Sequence, residues 1–312
     1  MKIGIDIMGG DYAPDATIKG ACAALAKIGL DSELVLIGQE DIMQSGLRDN
    51  GADPADFTLV HAEDVIEMGE HPTKVFSKKP NSSVAVGFDL LKRKEIDVFC
   101  SVGNTGAMLV GSMYTVRAIP GIIRPCVTTV VPKEDGSVGI ILDVGTNADC
   151  KPDVLYQFAI LGSLYLKLIY NVDQPKVGLL NIGEEEGKGN LLTQATYNLM
   201  KGTTDFNFIG NVEGRDLFID KADVLVCDGF TGNVVLKEME AFYSLYKKRK
   251  MSDEFFDRLN YEIYGGTPIL GINSNVIIGH GISSPKAIEN MLLLARDVSK
   301  SDLSEQIKAV FN

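Results

Sequence analysis

Short apolar runs that stop at polar, glycine-containing turns recur along this chain. In the clearest case, Val98, Phe99 and Cys100 are followed by the turn Ser-Val-Gly-Asn-Thr-Gly, and apolar residues at helical spacing resume over residues 105–116. A bounded apolar run predicts a strand, and a period of 3.6 residues predicts a helix. The turn at residues 101–106 is therefore at a helix N-terminus, where unpaired N–H groups favour an anion or a developing oxyanion. The alternative is an ordinary strand-to-helix turn.

The same order of strand, polar loop and helix is predicted at five places. The strands cover residues 3–7, 98–100, 138–142, 177–180 and 224–227, and the loops after them cover residues 8–11, 101–106, 143–147, 181–190 and 228–233. Because ligands of open α/β sheets bind beyond the carboxyl ends of the strands, we expect these five loops to converge on one cleft. Residues 275–278 and the loop Gly279-His-Gly-Ile-Ser-Ser repeat the order and place His280 in a glycine loop.

The remaining periodicity predicts a mixed sheet within one domain. Residues 127–131 and 138–142, joined by Lys-Glu-Asp-Gly, are typical of a β-hairpin, which would place an antiparallel pair in or beside a parallel sheet. Residues 154–170 form a predicted helix that is apolar nearly all round, which implies burial against the sheet or a partner subunit. We therefore predict an α/β fold with a mostly parallel mixed sheet, in a single catalytic domain over residues 1–312.

Two stretches depart from this order. Residues 63–80 are polar and without periodicity, and they contain His71-Pro-Thr-Lys and the pair Lys78 and Lys79. Long unstructured connections are usually functional or mobile, so we predict an active-site flap, with a merely solvated loop as the alternative. In residues 237–264, aromatic side chains alternate with the basic run Lys247-Lys-Arg-Lys. This pattern predicts a helical hairpin that protrudes from the α/β body.

Composition narrows the class of protein. The 312 residues include 42 acidic and 30 basic side chains, and the net charge of −12 argues against nucleic acid as a partner. The five cysteines and three histidines show neither a disulfide framework nor a zinc-ligand spacing, so no metal site is predicted. Asp6 and Asp11 interrupt the first apolar run, and no run reaches the ~18 apolar residues of a membrane span. We expect a cytoplasmic protein, at most peripherally associated with the membrane.

Two nucleotide motifs are absent, and no cofactor is predicted. The loop at residues 183–190 resembles a phosphate loop, but it is one residue short and has Gly189 where Ser or Thr should follow Lys188. No G-x-G-x-x-G follows a strand, which disfavours the metal-dependent dehydrogenase that Asp143, Asp228 and the three glutamates at residues 184–186 suggest. Those glutamates are equally consistent with a solvated helix start.

Several long motifs, in the same order, resemble the PlsX family, the bacterial acyl-ACP:phosphate acyltransferases of phospholipid synthesis. They cover residues 8–14, 101–106, 121–125, 142–145, 177–190, 210–215, 226–237, 264–266 and 279–281, and the resemblance spans nearly the whole chain. It implies a homodimeric three-layer α/β/α enzyme whose fold is similar to phosphotransacetylase and isocitrate dehydrogenase. It also implies transfer of a fatty acyl chain from acyl carrier protein (ACP) to inorganic phosphate, and use of the acyl phosphate by a membrane glycerol-3-phosphate acyltransferase.

The chain departs from the family at two places. Residues 237–264 are shorter than the usual helical hairpin, and Gly281-Ile-Ser-Ser replaces a direct Gly-Ser-Ser. The first difference bears on the dimer, carrier or membrane contact, and the second on a loop at the predicted cleft.

Acyl transfer to phosphate needs no covalent enzyme intermediate, because phosphate is a nucleophile and a thiolate leaves readily. The protein must position two reactants and stabilise an oxyanion. The predicted catalytic residues are Asn104, Thr105, Lys188, Asn233 and His280. In this hypothesis the N–H groups of residues 103–106 bind the thioester oxygen, supported by Asn104 and Thr105. His280 and Asn233 then donate to phosphate or to the leaving sulfur.

Two of these roles involve charge. His280 is the candidate general acid, with a satisfied structural histidine as the alternative. Lys188 and Arg124 supply positive charge to phosphate, although a surface arginine is the plain alternative for Arg124. The predicted substrate-binding residues, which apart from Arg124 come from the loops named above, are Gly9, Gly10, Asp11, Ser101, Gly103, Gly106, Arg124, Asp143, Gly187, Gly189, Asn190, Asp228, Thr231 and Gly232.

Two other functions stay open at this point. A phosphotransacetylase-like enzyme would use acyl-CoA in place of acyl-ACP, and a non-catalytic sensor would bind an acyl ligand and dock a partner through residues 237–264. The basic run in that segment suits ACP, because ACP is acidic and would be drawn to a basic patch.

Overall fold

The computed structural model describes residues 1–311, and the chain in it folds into two compact units. The first unit contains residues Met1–Ala118 and Tyr261–Ser304, and the second contains Ile119–Asn260 and the segment from Glu305 onward. Neither unit is continuous in sequence, so the chain passes from one unit to the other three times. The single catalytic domain over residues 1–312 stays a prediction.

Helices and strands alternate from the start of the chain. Residues 1–118 form four strands and five helices: β1 Lys2–Asp6, α1 Asp15–Leu25, β2 Glu33–Gly38, α2 Glu40–Asp49, β3 Thr58–His61, α3 Pro72–Lys78, α4 Ser83–Lys92, β4 Val98–Ser101 and α5 Thr105–Gly111. A π-helical turn, Ser112–Val116, continues α5.

The middle of the chain belongs to the second unit. It forms β5 Cys126–Pro132, β6 Val138–Leu142, α6 Pro152–Tyr170, β7 Lys176–Leu180, α7 Leu191–Met200, β8 Asn207–Val212, β9 Val224–Val226, α8 Gly229–Lys248 and α9 Glu254–Asp257. The last elements are α10 Tyr261–Tyr264, β10 Thr267–Leu270, β11 Asn275–Ile278, α11 Pro285–Lys300 and α12 Leu303–Phe311.

The sheet of the first unit has the strand order β3-β2-β1-β4-β11-β10. The first five of these strands run parallel, and β10 runs antiparallel to β11. Strands β1, β4 and β11 are neighbours, with Ile3 opposite Val98 and Phe99 opposite Val276. The loops after these three strands therefore begin at the same edge of the sheet, as predicted.

The sheet of the second unit has the order β5-β6-β9-β7-β8. Strands β5 and β6 pair antiparallel, which confirms the predicted hairpin, and the other neighbours are parallel. Strands β6, β9 and β7 are adjacent, so the loops at residues 143–147, 228–233 and 181–190 also begin side by side. A mostly parallel mixed sheet with helices on both sides confirms the predicted fold class.

Helix α6 is buried on the sheet of its own unit. Leu155, Phe158 and Leu161 are fully buried. A Cβ added to Gly162 would lie 2.7 Å from Val224, so the helix backbone approaches β9 closely. Burial against the sheet, one of the two predicted alternatives for this apolar helix, is what the structure has.

The helical excursion differs in detail from the prediction. Helix α8 begins at Gly229, before the predicted start at residue 237, and the remainder of the segment up to residue 264 contains the short helices α9 and α10. The segment that follows α8 packs against the rest of the second unit, because the ring centre of Phe255 lies 5.6 Å from that of Phe218. In addition, Arg258 donates to the carbonyl oxygens of Lys133 and Ser137 at 2.9 and 2.6 Å.

One local prediction needs correction. The connection at residues 63–80 contains helix α3, which is too short to show a period in the sequence and is fixed by the buried Val75. Helix α4 is capped by Ser82, because its Oγ accepts the N–H of Ala85 at 3.3 Å.

Candidate active site

A buried carboxylate lies beneath the glycine loops of the first unit. Asp6, 1% exposed at the end of β1, accepts the hydroxyl of Ser101 at 2.8 Å and the N–H of Met8 at 3.0 Å. Ser101 Oγ in turn accepts the N–H of Gly103 at 2.9 Å. Burial raises the pKa of Asp6, although hydrogen bonds from Ser83 and Ser101 favour the charged form. The N–H of Gly103 is thus used within the protein and is not offered to a ligand.

Glycines allow these loops to touch. A Cβ on Gly9 would lie 2.9 Å from the backbone nitrogen of Gly103, so any larger residue would separate the two loops. Gly10 has φ +100°, a conformation that favours glycine. The N–H of Asp11 donates to the carbonyl of Gly281 at 2.7 Å, which ties in the loop after β11. The structure therefore brings the three loops of this unit into contact, through Gly9 and Gly103 and through Asp11 and Gly281.

Three N–H groups at the start of α5 are free. Within residues 1–311, no group accepts a hydrogen bond from the N–H of Asn104, Thr105 or Gly106. The next N–H, that of Ala107, is capped by Asn104 Oδ1 at 2.9 Å. The donors at this helix end are therefore the N–H groups of residues 104–106. The predicted set began one residue earlier, at Gly103.

His280 lies at the start of the loop after β11. Its half-buried ring packs 4.5 Å from the ring of Tyr261, and its carbonyl accepts the N–H of Ser283 at 2.9 Å. The hydroxyl of Tyr261 donates to the carbonyl of Ile282 at 3.2 Å. Tyr261 is a neighbour of His280 that sequence reasoning missed. The sequence offers one signal for this contact, which is that Tyr261 is an aromatic residue near the end of the segment 237–264.

Asp143 organises the loop at residues 143–147, which follows β6 in the second unit. Its fully buried carboxylate accepts the N–H of Val127 at 3.1 Å, and the N–H and Nδ2 of Asn147 at 2.6 and 3.0 Å. Asn233 Nδ2 donates to the carbonyl of Val144 at 3.1 Å. Gly232 leaves no room for a side chain against the backbone of Asp143. These predicted residues come together, and their contacts in the structure build the loop.

A cavity of about 280 Å³ lies beside these loops in the second unit. Two helices start at its wall: Asn190 caps α7 by accepting the N–H of Thr193, and Asp228 caps α8 by accepting the N–H of Thr231, both at 2.9 Å. The lining residues are Leu155, Leu180, Asn181, Ile182, Gly189, Asn190, Thr193, Cys227, Asp228 and Thr231. Four predicted substrate-binding residues, Gly189, Asn190, Asp228 and Thr231, therefore share one cavity.

The two predicted cations lie at the surface of the second unit. Lys188 is exposed, and its Nζ is 3.9 Å from a carboxylate oxygen of Glu185. The exposed guanidinium of Arg124 donates to the carbonyl of Asp149 at 2.9 Å. Gly187 accepts from Gln194 Nε2 at 3.0 Å, which holds the loop around Lys188. Neither cation is among the residues that line the cavity.

The cysteines are thiols rather than thiolates. Burial, followed by the charges of Asp143 and Asp228, raises the pKa of Cys150 to about 11. Burial also raises the pKa of Cys100. Because the thiolate is the nucleophilic form, neither side chain is an activated nucleophile.

Residues 1–311 contain neither a candidate metal-binding cluster nor a candidate membrane-spanning helix. No group of three or more His, Cys, Asp or Glu side chains is arranged to hold a metal ion there. In the same residues, no helix is long and apolar enough to cross a membrane.

Known proteins resemble this chain over nearly its whole length. Residues 1–306 match the family model described as "Fatty acid synthesis protein". The "Phosphate acyltransferase" of Dictyoglomus thermophilum is 43% identical, over 98% of this chain and 96% of that protein. The "Phosphate acyltransferase" of Syntrophomonas wolfei is 41% identical, over 98% of this chain and 97% of that protein.

Solved structures resemble the fold at much lower identity. A phosphotransacetylase from Streptococcus pyogenes superposes with a TM-score of 0.66 at 17% identity, over 96% of this chain and 94% of that one. A branched-chain phosphotransacylase from Enterococcus faecalis gives 0.62 at 15% identity, over 96% and 99%. These likenesses confirm the predicted fold, and the full-length sequence matches place the chain in the PlsX family of phosphate acyltransferases.

Proposed function

We propose that this phosphate acyltransferase takes its acyl group from acyl-ACP and forms acyl phosphate for phosphatidic acid synthesis. Full-length similarity to proteins named phosphate acyltransferase supports phosphate as the acceptor. A phosphate oxygen attacks the thioester carbonyl, the carbon–sulfur bond breaks, and the proton that phosphate loses is balanced by the proton that the thiol gains. Protonated cysteines fit this direct route, since no enzyme thiolate is needed.

The observation that carries the proposal is the set of free N–H groups of residues 104–106 in the first unit. They lie at the positive end of α5, and in the proposal they bind the thioester oxygen as it gains charge. A donor of this kind contributes about 3 to 4 kcal/mol to the stability of a transition state. The side chain of Thr105, exposed at the first position of the helix, lies beside these N–H groups. His280 donates the proton to the leaving sulfur.

In this proposal the second unit binds phosphate. The N-termini of α7 and α8 at the cavity carry partial positive charge, and Gly189, Asn190 and Thr231 provide polar atoms there. Lys188 and Arg124 add full charges once their side chains turn from their present surface contacts. Asn233 holds the neighbouring loop through the carbonyl of Val144.

The partners proposed are ACP, a second copy of this chain and a membrane glycerol-3-phosphate acyltransferase that consumes the product. Helix α8 ends in a basic run, Lys247, Lys248 and Arg249, that suits the acidic ACP. The same helix exposes Phe230 by 67% and Phe242 by 62%, which suits burial in a homodimer. The proposed location is the cytoplasm, with peripheral membrane association.

One experiment tests the function directly. The purified protein is incubated with phosphate and either acyl-ACP or acyl-CoA, and acyl phosphate is detected by mass spectrometry. We expect acyl phosphate with acyl-ACP at a kcat/KM well above that with acyl-CoA. A preference for acyl-CoA would identify a phosphotransacetylase-like enzyme, the second candidate that the fold similarity favours. No product from either donor would overturn the proposal.

A further inference from the structure

The side chain of Asn104 forms hydrogen bonds in two directions. Its Oδ1 accepts the N–H of Ala107 and so caps α5. Its Nδ2 donates to three backbone carbonyls of the flap at residues 63–80: to Glu67 and Met68 at 3.1 Å, and to Glu70 at 3.0 Å. The residue is only 6% exposed. Both polar atoms of this side chain are therefore committed within the protein.

The flap depends on this contact at its centre. Among residues 1–311, Asn104 alone forms hydrogen bonds that join residues 67–70 to a residue outside the flap. The other bonds of this turn stay inside the flap, including the ion pair of Glu70 with Lys79 at 2.6 Å. Van der Waals contact adds to the link, because a Cβ on Gly106 would lie 2.9 Å from the ring of Pro72.

We propose that Asn104 is a positioning residue, whose carboxamide fixes the flap against the glycine loop and thereby orients the free N–H groups of residues 104–106. This inference rests on the proposed function of those N–H groups. It replaces direct action of Asn104 on the substrate, since the amide protons of its side chain already point to flap carbonyls. One residue thus sets the helix end and the flap together, which keeps the donors aligned and water away from them.

The substitution Asn104→Asp keeps the bond that caps α5 and removes the bonds to the flap. Aspartate is an equally good helix cap, so the bond to Ala107 is retained, but its second oxygen faces three carbonyl oxygens and cannot donate. In the full-length protein we expect amide hydrogen exchange over residues 66–71 to rise at least about tenfold, while strand β4 keeps its protection. We also expect kcat/KM to fall by about 100-fold, the effect of a small misplacement at a reacting centre.

Asn273→Asp is a matched control. Asn273 Nδ2 donates to the carbonyls of Val116, Arg117 and Ala118 at 3.5, 3.2 and 2.8 Å, so this variant breaks a similar set of bonds elsewhere in the first unit. Exchange over residues 66–71 should stay at the wild-type rate in it. An increase in both variants would mean general loosening and would overturn the proposal.

Two further outcomes would also overturn it. Wild-type exchange of the flap in Asn104→Asp would show that the carboxamide does not hold the flap. Faster exchange with unchanged kcat and KM would show that the flap does not position the reaction. Hydrogen exchange needs no turnover, so it shows whether Asn104 holds the flap even if the wild-type protein forms no acyl phosphate. Failure to form acyl phosphate is a separate result, and it would overturn the proposed function.

Discussion

The hydroxyl of Ser101 donates to Asp6 at 2.8 Å while its oxygen accepts the N–H of Gly103. This relay joins the end of β1 to the glycine loop after β4, two segments 95 residues apart in sequence. Because Asp6 is buried, the relay is shielded from water and its strength depends on the protonation of one carboxyl group.

Asp6→Asn should change how stability depends on pH. Burial raises the pKa of Asp6 in the folded protein above its ordinary value of 3.8, so the folded state binds the proton more tightly than the unfolded chain. The contribution of Asp6 to stability is therefore full below pH 3.8 and is lost as the pH rises through the folded-state pKa.

Chemical denaturation at a series of pH values from about 4 to 7 measures this effect. The free energy of unfolding of Asp6→Asn, taken relative to wild type, should increase over this range. A difference that stays constant with pH would show that Asp6 does not titrate as its burial implies.

Gly106→Ala should impair turnover more than folding. The added Cβ would lie 2.9 Å from the ring of Pro72, so it would push the flap away from the free N–H groups. We expect a fall in kcat/KM of about tenfold or more. Gly214→Ala is the control, because no atom of the described residues 1–311 lies within 4 Å of a Cβ there. Equal kinetics in the two variants would rule out close approach at residue 106.

His280→Gln tests the proposed acid. Glutamine keeps a donor but cannot transfer a proton, so kcat should fall about 100-fold or more and lose its pH dependence between pH 6 and 9. Tyr261→Phe keeps the ring contact with His280 and removes the hydroxyl that donates to Ile282, so its pH profile should keep the wild-type shape. A wild-type kcat in His280→Gln at every pH would leave His280 a structural residue.

Lys188→Ala and Arg124→Ala should each raise the KM for phosphate by about ten- to a hundredfold, because a hydrogen bond to a charged group contributes about 1.5 to 3 kcal/mol. The exposed Lys167 on α6 provides a control, since Lys167→Ala removes the same charge from the same unit. Steady-state kinetics with phosphate as the varied substrate measure the effect. Wild-type KM values in both variants would place phosphate elsewhere.

Charge reversal of Lys247, Lys248 and Arg249 to glutamate should weaken ACP binding, most strongly at low ionic strength, where screening is least. Reversal of Lys92, Arg93 and Lys94 at the end of α4 is the matched control, because it changes the same charge at another helix end. Affinity measured at two salt concentrations, together with the mass of the assembly, distinguishes carrier binding from dimerisation. If charge reversal weakens neither ACP binding nor dimerisation, this helix end has neither role.

The sequence predicted the parallel strands and their loops well, because each apolar run and glycine turn is a local signal. It could not predict which loop atoms are free. Asn104 donates to flap carbonyls more than 30 residues away, and Asp143 accepts the N–H of Val127, 16 residues before it. Such partners depend on tertiary contacts. The bond of Arg124 to Asp149, 25 residues away, depends on the tertiary fold in the same way, whereas Lys188 contacts Glu185, only three residues before it.

The divided first unit has a consequence for synthesis of the protein. Strand β11 lies beside β4, but it leaves the ribosome only after the 142 residues 119–260 of the second unit. The two strands are separated by the 173 residues 102–274, so at about 5–20 residues per second the edge of β4 waits about 9 to 35 s for its neighbour. During that interval the nascent chain presents an unpaired strand edge, which is a known starting point for aggregation. The loop that carries His280 is thus among the last parts of the first unit to be synthesised. Chaperone protection of β4 would matter most just before β11 is synthesised.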